Sequence, residues 1–95
     1  MEKIILSVKD GPDISFNGKE VAHEHNPDTD VAYRIYETEK GSWLLTITSN
    51  EGKLLKHQSI QNKSVAKLVE LLGYSDLAKS FYSQLGIDTV QNLDI

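Results

Sequence analysis

Two glycine-terminated triplets, Glu39-Lys40-Gly41 and Asn50-Glu51-Gly52, interrupt the β-forming stretch VAYRIYETEKGSWLLTITSNEGKLLKH and constrain the chain more than any other feature. A three-residue hairpin loop ends on a left-handed residue, which glycine adopts without steric cost, and the loop length then fixes which residues face one another. With the loop at 39–41, Ile35 pairs with Leu45, Tyr33 with Ile47 and Glu37 with Trp43. Val31, Tyr33, Ile35, Trp43, Leu45 and Ile47 then share one apolar face. A two-residue Lys40-Gly41 loop would instead oppose Glu37 with Leu44 and Ile35 with Thr46, mixing polar with apolar partners. The same three-residue device at 50–52 opposes Ile47 with Leu55 and Leu45 with His57.

Period-two patterning extends upstream. Ile4, Leu6 and Val8 recur at alternate positions until the turn residues DGPD, and ISFNGKEV predicts a second hairpin with a type I′ turn at Asn17-Gly18. That loop would set Phe16 against Lys19 and Ile14 against Val21, with His23 and His25 on the side of Val21. Beyond residue 60 the period changes. Val65, Leu68, Val69 and Leu72 recur at helical spacing between a Ser64 N-cap and Gly73, and Leu77, Phe81 and Leu85 follow Ser75 until Gly86. Strands first and helices last imply an α+β fold. The expected architecture is an antiparallel sheet of about five strands over residues 3–59, covered on one face by a helical hairpin over 64–85, in one domain spanning 1–95. The final GIDTVQNLDI fits an edge strand, a short turn against the body or a free tail.

Composition removes several classes of function. The chain of 95 residues has no cysteine, which excludes disulfides, thiolate nucleophiles and cysteine-based zinc sites and suits a reducing cytoplasm. Fourteen acidic residues against ten basic ones give a net charge of -4 without clustering of either sign, so no nucleic-acid partner is expected. The N-terminal IILSV is far too short for a signal-peptide core or a membrane span, so no membrane partner is expected either.

The densest titratable stretch is HEHNPDTD, residues 23 to 30. His23 and His25 on one strand face, with Asp28 or Asp30 and with His57 from a later strand, have the donor chemistry of a zinc or other divalent site. Asn26-Pro27-Asp28 is also ordinary turn chemistry, and a polar turn joining two strands is the reading taken here. No Gly-x-Ser-x-Gly elbow and no glycine-rich phosphate loop occurs, so no catalytic residue, metal or cofactor is assigned. The predicted register leaves a mixed face opposite the apolar one. There Tyr36, Leu44 and Gln58 form one cross-strand row, flanked by Arg34 and Lys56. Tyrosine and arginine are favoured at interfaces, so these five residues are the expected contact for a protein partner or a second copy of the chain. The leading expectation is a non-catalytic interaction or regulatory module; the alternative is a small metal-binding protein or metal-dependent enzyme using His23, His25 and His57.

VAYRIYETEKGSWLLTIT together with the terminal QNLDI resembles the EXLDI protein family, small bacterial proteins with a tyrosine-rich hairpin and a C-terminal Glu-x-Leu-Asp-Ile signature. Leu93, Asp94 and Ile95 match that signature, and Gln91 stands where the family has glutamate. The resemblance implies a bacterial cytoplasmic origin and a specific role for Leu93, Asp94 and Ile95, either docked on the body or offered as a free C-terminal peptide. It implies no catalytic residue.

Overall fold

The computed structural model describes residues 1–90 and 93–94. Five strands, β1 (Glu2–Leu6), β2 (Ile14–Asn26), β3 (Val31–Thr38), β4 (Trp43–Ser49) and β5 (Leu54–Ile60), pair in chain order as an antiparallel meander. A 3-10 turn (Gln61–Lys63) leads to the helices α1 (Val65–Leu72) and α2 (Asp76–Gln84). The chain is thus α+β, as the change of hydrophobic period implies.

The β3–β4 hairpin adopts the register that its loop predicts. Gly41 has φ +80°, and Ile35 pairs with Leu45, Tyr33 with Ile47 and Glu37 with Trp43. The β4–β5 hairpin begins the same way, with Gly52 at φ +80° and Thr48 opposite Leu54. A bulge then places Lys56, not Leu55, opposite Ile47, and Gln58, not His57, opposite Leu45. The bulge serves burial. In a regular strand Leu54 and Ile60 would point to the same side; the extra residue sends Leu54 (4% exposed) to one face and Ile60 (0%) to the other. In consequence Lys56 and Gln58 leave the face of Arg34, Tyr36 and Leu44, and His57 joins it opposite Thr46.

The expected Asn17-Gly18 turn does not form. Both residues lie inside β2, where Gly18 is flanked by Glu2 of β1 and Thr38 of β3, and the first hairpin instead pairs Leu6 with Ile14 around the DGPD turn. Gly18 is there because of crowding: a Cβ on it would lie 2.5 Å from the Glu37 carbonyl oxygen and 3.1 Å from the Phe16 ring.

The sheet also curls until its ends touch. The Leu54 amide donates to the Ser7 carbonyl at 2.7 Å, and Val8 makes a parallel bridge to Leu54. The face opposite the helices, expected to be a mixed contact face, is therefore concave and partly filled. Tyr36, Thr46, Thr48 and Leu54 are buried there, and Tyr36 meets Phe16 edge to face at 5.3 Å between ring centroids. The buried hydroxyls are satisfied: Thr46 donates to the Arg34 carbonyl at 3.3 Å, and Thr48 accepts from the Arg34 guanidinium at 2.8 Å.

The other face carries the main core, where Ala22, Ile35, Trp43, Leu45 and Ile60 pack with Leu68 of α1 and Ala78, Phe81 and Tyr82 of α2. Both helices start as their serines predict, with Ser64 Oγ accepting from the Lys67 amide and Ser75 Oγ from the Ala78 amide. The Tyr82 hydroxyl donates to the carbonyl of Gly73, which ends α1, so one side chain ties the two helices together. Because β1 pairs only with residues 14–18 of β2, the later part of that edge lacks a neighbouring strand among the described residues. Gln84 fills the role. Its amide oxygen accepts from the His23 N–H and its amide nitrogen donates to the His23 carbonyl, both at 2.9 Å, in the manner of a strand residue.

Candidate functional site

The five residues expected to form one contact surface divide between the two faces of the sheet, and Leu44, Lys56 and Gln58 line two clefts on opposite sides of it. Leu44 lies on the floor of the first, a cleft of about 520 Å³ on the concave side. Ile14 and Phe16 from β2 form one wall, His57 and Ser59 from β5 the other, and Thr38 and Lys40 close the end at the β3–β4 turn. Tyr36 is 8% exposed behind Phe16, and burial pushes its phenol above the usual tyrosine range. Arg34 lies further along the same face, where its Nε contacts Glu20 Oε1 at 3.0 Å and its terminal nitrogen donates to Thr48. Lys56 and Gln58 instead line a second cleft of about 410 Å³ between β4, β5 and the helical hairpin. Sequence patterning missed this second cleft because it assumed that β5 alternates regularly.

The HEHNPDTD stretch is half strand and half turn. His23 through Asn26 close β2, and the following turn is held by the Asp28 amide donating to the Asn26 side chain at 3.0 Å, with Asp30 at φ +53°. His25 Nε2 and Asp30 Oδ1 are 2.9 Å apart, with more than half of each side chain exposed, and Asn50 donates to the other Asp30 oxygen at 2.8 Å. His23, Arg34, Thr46 and His57 follow one another across four strands. At roughly 4.8 Å per strand, His57 is about 14 Å from His23 along the sheet. The guanidinium of Arg34 borders the recess of His23, His25 and Asp30, where it opposes a second cation. Among the described residues, no three of His, Cys, Asp or Glu are grouped to hold a metal ion.

The His25 and Asn50 hydrogen bonds hold the Asp30 carboxyl below its usual value of 3.8. A carboxylate with a depressed pKa contributes stability that is complete above the unfolded-state pKa and is lost as pH falls through the folded value. Asp30→Asn should therefore flatten the acid limb of the stability curve below about pH 4. Urea midpoints measured between pH 2 and 7 check this; parallel wild-type and variant curves would refute it. At the alkaline end the sign reverses. Burial raises Tyr36 and Tyr82, so their contribution is full below about pH 10 and declines as pH rises through the folded values.

Of the terminal motif, Leu93 and Asp94 are exposed, Leu93 at 65%. Ile95, like Gln91 and Asn92, lies outside the described residues. Among the described residues, no helix is long and apolar enough to cross a membrane. Comparison with protein families, characterised proteins and solved structures finds no match to this chain.

Proposed function

We propose that the protein is a cytoplasmic, non-catalytic binding module that captures an extended segment of a partner protein along β5 and the concave cleft. The observation that carries this reading is the free edge of β5 beside an apolar trough. Residues 55–59 are exposed, and among the described residues the strand has β4 on one side but, apart from the contact at Leu54, no strand on the other. An added strand would gain main-chain hydrogen bonds from that edge and seat alternate side chains over Leu44, Phe16 and Ile14. Charge narrows the partner. The stretch from Lys53 to Ile60 contains Lys53, Lys56 and His57 and no acidic residue, so acidic groups flanking the captured apolar positions are favoured.

The site chemistry supports binding over catalysis. A general acid working near neutral pH needs a raised carboxyl pKa, whereas the carboxylate of the His25–Asp30 pair is depressed on an exposed turn. Membership of the EXLDI family is part of the same proposal, resting on the β3–β4 hairpin and the Leu93-Asp94-Ile95 ending.

The test is a titration of 15N-labelled protein with extended peptides of alternating valine and threonine, flanked by aspartate or by lysine. Aspartate-flanked peptides should shift and protect the amides of residues 55–60. Leu44→Glu, which puts a charge on the trough floor, should weaken binding at least tenfold while circular dichroism stays native. Shifts confined to other surfaces, no saturable shifts, equal affinity of Leu44→Glu, or a dimer that already protects β5 in the free protein would each overturn the proposal.

A further inference from the structure

The cleft between the helical hairpin and strands β4 and β5 lies on the helix side of the sheet, opposite the concave trough, and takes Lys56, His57 and Gln58 from β5. Its floor is Leu45 and Ile47, and its roof is Leu72 from the end of α1 and Leu77 from the start of α2. Ile47, Leu72 and Leu77 are only partly buried, so apolar surface from both layers is gathered around the space without filling it. The volume of about 410 Å³ falls within the range of about 300–1,000 Å³ usual for small-molecule sites.

Electrostatics selects the ligand. Lys56 stands opposite Ile47 on the helix side of the sheet and lines the cleft, where no Asp or Glu accompanies it. Among the described residues its ammonium makes no ion pair. A lysine whose stem runs along apolar surface keeps its charge at the water boundary, so it can meet an anion there while the rest of the ligand stays inside. Asn26 and Gln58 at the same cleft offer further amide donors.

We propose that this cleft binds an aliphatic monocarboxylate of medium chain length, with the hydrocarbon between Leu45, Ile47, Leu72 and Leu77 and the carboxylate on Lys56. An apolar slot with a lone cation at its mouth is complementary to an amphipathic anion. A neutral alkane would leave the ammonium without a partner, and a polyanion would leave charge against leucine.

Titration of the 15N-labelled chain with hexanoate, octanoate, decanoate and 1-octanol, all below their micellar or solubility limits, tests it. Octanoate should shift the amides of residues 45–47, 56–58 and 72–78 saturably, and each added methylene should tighten binding about fourfold until the slot is full. Lys56→Met keeps the stem and removes the charge. It should weaken octanoate about tenfold and leave 1-octanol unchanged. Leu77→Gln, on the partly exposed roof, should weaken both ligands. The proposal is overturned by the absence of saturable shifts for every chain length, by shifts that map outside the cleft, by equal affinity for octanoate and 1-octanol, or by equal octanoate affinity in Lys56→Met. The strand-capture reading is read out at Leu44, so either proposal can fail while the other stands.

Discussion

Replacing Phe81 by alanine should destabilise the protein by about 3–5 kcal/mol, the usual cost of truncating a fully buried phenylalanine. The ring is 0% exposed and belongs to the cluster that joins α2 to Ala22, Ile35 and Leu45 of the sheet. A domain of this size has a total stability of about 5–14 kcal/mol, so the variant loses about a fifth or more of what holds it folded. The cost sits near the upper end because the site cannot collapse. Tyr82 is tied by its hydroxyl to Gly73, and Gln84 holds the end of α2 to the backbone of β2, so the helix cannot settle into the cavity. Urea denaturation followed by circular dichroism measures the loss as a lower midpoint at unchanged slope. A loss below about 1 kcal/mol would mean that the helical hairpin is not seated on the sheet as described. Phe81→Leu, which restores most of the volume, should recover more than half of the deficit.

The positions that were legible in the sequence share a physical cause, which is local determination. The β3–β4 register follows from one loop glycine at φ +80° and from apolar residues that can all reach one side. The helix starts follow from Ser64 and Ser75, each bonded to an amide three residues ahead in its own chain. What was not legible depends on partners distant in sequence. The bulge at Leu55 exists because Leu54 is needed against Ser7 and Val8 while Ile60 is needed against the helices, and no local pattern in LLKHQSI encodes both demands. The closure of the sheet by Val8 and Leu54 turned the expected mixed contact face into a trough. The two clefts were hidden for the same reason: moving Lys56 and Gln58 to the other side of the sheet requires knowing that single extra residue.

Gly18 is the sharpest case, because the same dipeptide supports two different arguments for glycine. In a type I′ turn, glycine is needed for its positive φ, and asparagine is a tolerable substitute. In β2, Gly18 does not have a positive φ; it is needed because the Glu37 carbonyl oxygen occupies the place of a Cβ, 2.5 Å away. Gly18→Ala should therefore force β2 and β3 apart where Gly18 pairs with Thr38, at a cost of about 1–3 kcal/mol. Gly18→Asn should cost at least as much. Gly41, at φ +80° with open space around its Cβ position, should behave in the opposite way. Gly41→Ala should cost about 1–2 kcal/mol through left-handed strain alone, and Gly41→Asn should recover most of it. Melting curves of the four variants decide the matter. If asparagine rescues position 18 as it rescues position 41, the dipeptide forms a turn after all, and β2 does not run unbroken from Ile14 to Asn26. If asparagine rescues position 41 only, close approach of the chain sets the identity of residue 18.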